Sequence, residues 1–271
     1  MTAVAAPRFG AAYRPTFGRA LRSEWIKLRS LQSTFWTALL TVGIMVGFGT
    51  LFALLVVTDP GTGPNRPMFL VIGYPFAQLT IGVLGALIVT GEYATGAIRT
   101  TFTADPNRWR VIAAKGLLLT IVASVLAAIS TGLSALVGVA LFSGFDVQLD
   151  ATPASLMGVA GAVIACLALT ALLAYGTGLL VRNSAAAITI VVGVLFVAPI
   201  LMQLVVMFTG ADWAYAIYNH LPSTAGSQMM VGMEMGLGDS ALTAGQGAAW
   251  LAAYAAAALA AGTVASARRE H

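Results

Sequence analysis

The sequence predicts an all-α, polytopic membrane protein with six transmembrane helices. Three observations carry that expectation. Six long apolar stretches fill most of the 271 residues, polar and apolar residues hardly alternate within them, and the basic residues gather on one side of the alternating spans. A soluble amphipathic helix keeps a polar face for water, whereas a helix that is apolar all round has lipid or another helix on every side. The spans read as 33–57, 69–90, 111–142, 154–181, 185–208 and 241–266. Each meets the requirement of about 20 residues to cross roughly 30 Å of hydrocarbon.

Orientation follows from Lys and Arg. Thirteen of the fourteen basic residues fall on one side of six alternating spans, and Arg66 alone falls on the other, with Asp59, Asp146, Asp150, Asp212, Glu234 and Asp239. The positive-inside rule then places both termini in the cytoplasm. The net charge of +4 carries little weight for nucleic acid, because the charges hug the membrane boundary and suit anionic lipid or an acidic protein surface. Residues 1–32 form an amino-terminal segment and residues 33–271 a single membrane domain. Span 1 is too long for a signal-peptide apolar region and is expected to be retained.

The spans hold no Asp, Glu, Lys, Arg or His deep within them; Glu92, Lys115 and Arg182 sit at their cytoplasmic ends. Ionisable groups inside a bilayer are costly and usually serve proton relays or catalysis, so proton-coupled transport and intramembrane hydrolysis are disfavoured. Gln78 and Gln203 are the candidates for a translocation path, although hydrogen bonds between neighbouring helices are the plainer reading for them and for Gln246. Gly43-x-x-x-Gly47, Gly82 with Gly85, and Gly176 with Gly178 supply small residues for close helix packing within the chain. Pro75 is expected to kink span 2 near its outer end. The single cysteine, Cys166, reads as a packed core thiol, and neither a disulfide framework nor a metal site is expected.

Before span 1, residues 16–32 read TFGRALRSEWIKLRSLQ. At about 100° per residue, Phe17, Leu21, Trp25, Leu28 and Leu31 form one apolar stripe, with Arg19, Arg22 and Arg29 facing away from it. This is an interfacial helix with membrane lipid as its neighbour. Glu24 interrupts the stripe. A local pair with Lys27 accounts for it; so does a partner polypeptide or the next cytoplasmic loop. That loop, residues 91–110, reads GEYATGAIRTTFTADPNRWR. It combines charges with aromatics, with a short helix expected over 94–103 and a turn at Asp105-Pro106-Asn107.

At these two segments the chain resembles the ABC-2 type membrane permease family, particularly its six-span bacterial members. The resemblance lies in Ser23-Glu24-Trp25-Ile26-Lys27-Leu28-Arg29-Ser30, in Gly91-Glu92-Tyr93-Ala94-Thr95-Gly96-x-Ile98-Arg99-Thr100-Thr101, in Asp105-Pro106-Asn107-Arg108 and in His220-Leu221-Pro222-Ser223. It implies the permease subunit of an ATP-driven exporter of a hydrophobic or amphipathic compound, such as a drug, an antibiotic or a lipid. The implied partners are two copies of a cytoplasmic ATP-binding subunit and a second permease copy, as a homodimer. In that family the interfacial helix and the first cytoplasmic loop contact the ATPase, which nominates Glu24, Lys27, Arg29, Glu92, Thr95, Arg99, Thr100, Thr101, Asp105 and Arg108. The chain has no G-x-x-x-x-G-K-[ST] loop, so ATP and Mg are expected in the partner, and no enzymatic activity or cofactor is expected in this chain.

The connection 209–240 is too apolar for a free loop and too interrupted for a span. It is expected to form one or two short helices in or dipping into the outer interface. Trp213, Met229, Met230 and Met233 are candidates for an external gate, since Met adapts to varied apolar partners; a lid packed on the span ends explains the same residues. Two functions of other classes stand beside the exporter. One is a membrane scaffold or sensor-complex subunit that moves no cargo. The other is an ion-coupled carrier, which the charge-free interior disfavours.

Overall fold

The computed structural model describes residues 16–58, 70–97, 107–149, 151–230 and 241–268. Every regular element among them is helical. Helix α1 (Phe17–Ser30) precedes α2 (Gln32–Thr58), α3 (Tyr74–Thr95), α4 (Arg108–Gly144) and α5 (Pro153–Val181). Then come α6 (Ser184–Val192), a π-helical turn (Gly193–Val197) and α7 (Ala198–Thr209), which together make the fifth span. The short helices α8 (Asp212–His220) and α9 (Pro222–Ser227) lead to α10 (Ala244–Arg268). Six helices are long and apolar enough to cross a membrane; the chain is a multi-pass membrane protein. They match the spans read from the sequence, with α3 starting later and running on to Thr95.

Side chains mark where four of the spans begin. Asn107 accepts from the Arg110 N–H, Thr152 and Ser155 form a reciprocal capping box, and Asn183 accepts from the Ala186 N–H. Thr243 and Gln246 exchange side-chain bonds with each other's backbone N–H groups at the start of α10. The first backbone donors of a helix have no partner of their own and cannot be left bare near hydrocarbon. Gln246 therefore caps its own helix and does not bond a neighbouring one.

Helices α3 and α5 form the centre. Helix α5 packs on α10, α3 and α4, while α2 packs on α4 and α3, and α6 lies against α3. Small residues permit these crossings. A Cβ on Gly176 would lie 2.5 Å from the Ala258 backbone of α10, and one on Gly178 would meet Val89 and Ala86 of α3. Lipid tails remove the hydrophobic drive between helices, so close van der Waals contact and interhelical hydrogen bonds carry the packing. One such bond joins Gln78 Nε2 to Thr170 Oγ1 at 3.0 Å, and another joins Thr41 to Thr80 at 2.7 Å.

Two expectations are corrected. Pro75 lies in the first turn of α3, where no intrahelical bond is lost and no kink is required. A Cβ added at Gly43 or Gly47 would meet nothing within 4 Å among the described residues. With Leu39, Leu40, Phe48 and Leu51 they line an open trough on the outside of α2. The break in the fifth span falls instead before Pro199, at the second position of α7, where the Ala198 N–H reaches back to Gly193 O. A proline ring collides with the carbonyl four residues earlier in a regular α-helix, and a π-turn opens the coil there.

The connection before α10 does form two short helices, and α9 reaches far inside. Cys166 Sγ lies 2.8 Å from Gly226 O and 3.3 Å from Met229 Sδ. Cys166 is thirteen residues into α5, a depth of about 20 Å along that helix. The thiol is fully buried, a packed core residue as the sequence suggests. Met230 is buried with Met229, whereas Trp213 is exposed; Met233 lies outside the described residues.

Gly176→Ala should lower the thermal unfolding midpoint in detergent, by a destabilisation of about 1–3 kcal/mol from overpacking. Gly43→Ala should leave it unchanged or raise it, because the added methyl meets open space and favours the helix.

Candidate functional site

Apart from Asp146 and Asp212, the charged residues among those described lie toward one end of the bundle, where α1, the last turns of α3 and α5, and the first turns of α4 meet. We call this the basic end. Helix α1 packs on α4 through the middle of its apolar stripe, with Leu28 buried and Leu21 partly buried. Glu24 projects from that same face and is 4% exposed. Its partner there is Lys115, two turns into α4, whose ammonium donates to Glu24 Oε2.

Four side chains close into one ion-pair cluster. Lys115 Nζ also donates to Glu92 Oε1 at 2.8 Å, and Lys27 Nζ donates to Glu24 Oε1 at 2.8 Å and to Glu92 Oε1 at 3.0 Å. Two carboxylates and two ammonium groups leave no net charge. The two lysines differ in depth. The Lys115 side chain is 3% exposed and that of Lys27 35%, so Lys115 is the inner bridge and Lys27 the outer one. Burial lowers the Lys27 pKa, but its hydrogen bonds and attraction to Glu24 and Glu92 outweigh this and raise it above the usual 10.5.

Glu92 occupies the last turn of α3, where a carboxylate faces the negative end of the helix dipole. The two lysines offset that. Its Oε1 accepts both, while Oε2 is buried without a hydrogen-bond partner among the described residues. Gly96 then ends α3 at φ 72°, its N–H bonded to Tyr93 O. That left-handed conformation suits glycine.

A second network begins at the neighbouring residue. The Arg182 guanidinium lies over the Tyr93 ring, 5.1 Å from its centre, and donates to Ala265 O at 3.1 Å. Arg108 Nη1 reaches Ser266 O at 3.5 Å. Both cations thus sit at the carboxyl-terminal carbonyls of α10, the favourable end of its dipole. Arg182 itself stands at φ 59° as the cap of α5, a backbone conformation uncommon for residues other than glycine. Ser184 Oγ bonds Thr90 Oγ1 at 2.9 Å and ties α6 to α3 close by.

The fold thus brings Glu24, Lys27 and Glu92 together; Glu24 is held both by Lys27 on its own helix and by a residue of a membrane span. Arg29 and Thr95 are exposed, with the Thr95 hydroxyl folded onto Gly91 O, and Arg108 lies against α10. Arg99, Thr100, Thr101 and Asp105 lie outside the described residues. Gln78 sits deep between α3 and α5, far along α3 from Glu92, whereas Gln203 is exposed on α7. Sequence reasoning placed Lys115 and Arg182 only at span ends. The signal for Lys115 was a solitary cation two turns inside an apolar helix, opposite an equally misplaced Glu24. No three of His, Cys, Asp and Glu gather at metal-binding distance among the described residues. The cluster holds α1, α3 and α4 together.

No protein-family model matches the chain, and no curated protein matches it.

Lys115→Met should cost about 3 kcal/mol, because it removes the inner cation and leaves the two carboxylates sharing only the outer Lys27. Lys27→Gln should cost about 0–1 kcal/mol, since water screens the outer bridge. Thermal unfolding in detergent at neutral pH measures both. The Lys27 contribution is present below 10.5 and is lost as pH rises through its elevated native pKa. The alkaline fall in stability should therefore be shallower in Lys27→Gln than in the parent protein.

Proposed function

We propose that this chain is the permease subunit of an ATP-driven ABC transporter, exporting a hydrophobic or amphipathic compound and powered by a separate cytoplasmic ATP-binding subunit. The observation that carries the reading is the joint at the basic end. Glu92 links the last turn of α3 to α1 and α4, and the adjacent Tyr93 links it through Arg182 to α5 and α10. A force on Thr95 or on the connection after Gly96 reaches α1 and four spans through two neighbouring residues. The resemblance of residues 23–30 and 91–101 to ABC-2 permeases supports the same assignment.

In this reading the basic end is cytoplasmic by the positive-inside rule. ATP binding closes two partner ATPases beneath a permease dimer, and that movement shifts the α3 turn. Glu24, Lys27, Glu92 and Lys115 then carry the shift as a unit, because separating one member leaves a buried charge unpaired. Away from the basic end, the polar contacts between the described spans are neutral, Gln78 with Thr170 and Thr41 with Thr80. An apolar or amphipathic cargo suits such an interior better than an ion. Thr95 and the segment after it form the docking edge, and the four-charge cluster transmits.

Thr95→Arg places bulk and charge on the exposed last turn of α3. It should reduce co-purification with the ATP-binding subunit at least tenfold, a loss of about 1.4 kcal/mol, without changing the unfolding midpoint of the permease. Undiminished co-purification would remove the docking edge from this surface. ATP hydrolysis by the permease alone, or solute movement down an ion gradient without ATP, would overturn the whole assignment.

Topology has its own check. Ser143→Cys and Asn183→Cys should react with a membrane-impermeant maleimide from opposite sides of the membrane. The native Cys166 is buried and leaves a low background. Labelling from one side would reverse the placement of the spans.

A further inference from the structure

Part of the apolar stripe of α1 that the sequence assigns to the membrane turns inward with Glu24, at Leu21 and Leu28, while Phe17, Trp25 and Leu31 stay exposed. A second face is left without a protein neighbour among the described residues. Arg22, Trp25, Ile26 and Arg29 follow one another at the i, i+3, i+4, i+7 spacing of a single helix face. All four are exposed, Trp25 by 48% and Ile26 by 60%. The face is turned about a third of a revolution from the buried one.

Its chemistry is mixed: an indole and a branched alkyl group lie between two guanidinium groups. Its level is fixed by Glu24, which meets Lys115 seven residues after the start of α4, about 10 Å along that helix. Helix α1 therefore lies beside a membrane span and not beneath it. The chain turns at Leu31 directly into α2, whose early residues Phe35 and Trp36 are 63% and 59% exposed and stack edge to face at 5.7 Å. Aromatic side chains of this kind mark the headgroup boundary. A face at that boundary, with apolar groups between two cations, matches an anionic phospholipid in both polarity and charge.

We propose that the outward face of α1, formed by Arg22, Trp25, Ile26 and Arg29, binds anionic phospholipid. Trp25 and Ile26 enter the boundary between headgroups and acyl chains, and Arg22 and Arg29 take the phosphates, for which the guanidinium fork is suited. Bound lipid presses α1 onto α4 from the side opposite Glu24, so it stabilises the Glu24–Lys115 contact. This assigns Arg29 to the membrane and not to the docking role that the family resemblance implies for it. It does not depend on the ATP-driven reading.

The test uses the full-length permease alone in nonionic detergent micelles doped with phosphatidylglycerol or phosphatidylcholine. Unfolding midpoints are followed across the titration, and native mass spectrometry counts retained lipids. Phosphatidylglycerol should raise the midpoint and phosphatidylcholine should not. Arg22→Gln with Arg29→Gln should need about 30-fold more phosphatidylglycerol for the same rise, about fivefold per arginine. Arg22→Lys with Arg29→Lys retains the charge and should keep most of the response, which guards against a folding defect. Equal responses to the two lipids, or an unchanged phosphatidylglycerol requirement in the glutamine pair, would overturn the proposal. So would a glutamine pair that keeps its lipid response but no longer co-purifies with an ATP-binding subunit, which would make the face a protein interface.

Discussion

A buried ammonium group must have its counter-charge, and Lys115 has one on each of two other helices. Removing an ion from water costs several kcal/mol even after the protein relaxes, and only close, well-hydrogen-bonded partners offset it. Glu24 and Glu92 provide that from α1 and α3. The position of α1 follows, since its carboxylate has to reach a cation two turns inside α4. So does the length of α3, which runs past the expected end of its span until Glu92 is level with Lys115. Lys27 then covers the cluster from the wetter side.

The rest of the bundle is held by means that do not involve charge. Helix α5 crosses α10 and α3 where Gly176 and Gly178 remove the side chains that would keep the backbones apart. At the far end α9 occupies the space above Tyr74, so α3 is short there while α5 continues. The molecule has different fastenings at its two ends: ion pairs and arginine–carbonyl contacts at one, and a thiol, methionines and close glycine packing at the other.

Much of this was legible in the sequence, because span length, the absence of alternation and the sidedness of Lys and Arg are properties of a chain in a bilayer whatever its tertiary contacts. Glu24 stood out for the same reason, as an acid on an apolar stripe. Its partner did not stand out, since nothing in the spacing of residues 24, 92 and 115 says that their helices meet. Glycine patterns were ambiguous in the same way. Gly176 packs at a crossing and Gly43 on open surface, although both belong to runs of small residues. Pro75 does not give the expected kink because a proline's effect depends on where the helix begins, and α3 begins only at Tyr74. Gln246 serves its own backbone, an outcome decided by the first unpaired N–H groups of α10.

The π-turn at Gly193–Val197 changes how the fifth span should be drawn. One additional residue in the coil shifts the angular phase of everything after it by about 100°. Ala187 and Val191, which face the bundle, and Leu201, Leu204 and Phe208, which do not, therefore belong to two separate wheels, and a single projection of residues 184–209 would misplace one half of the span.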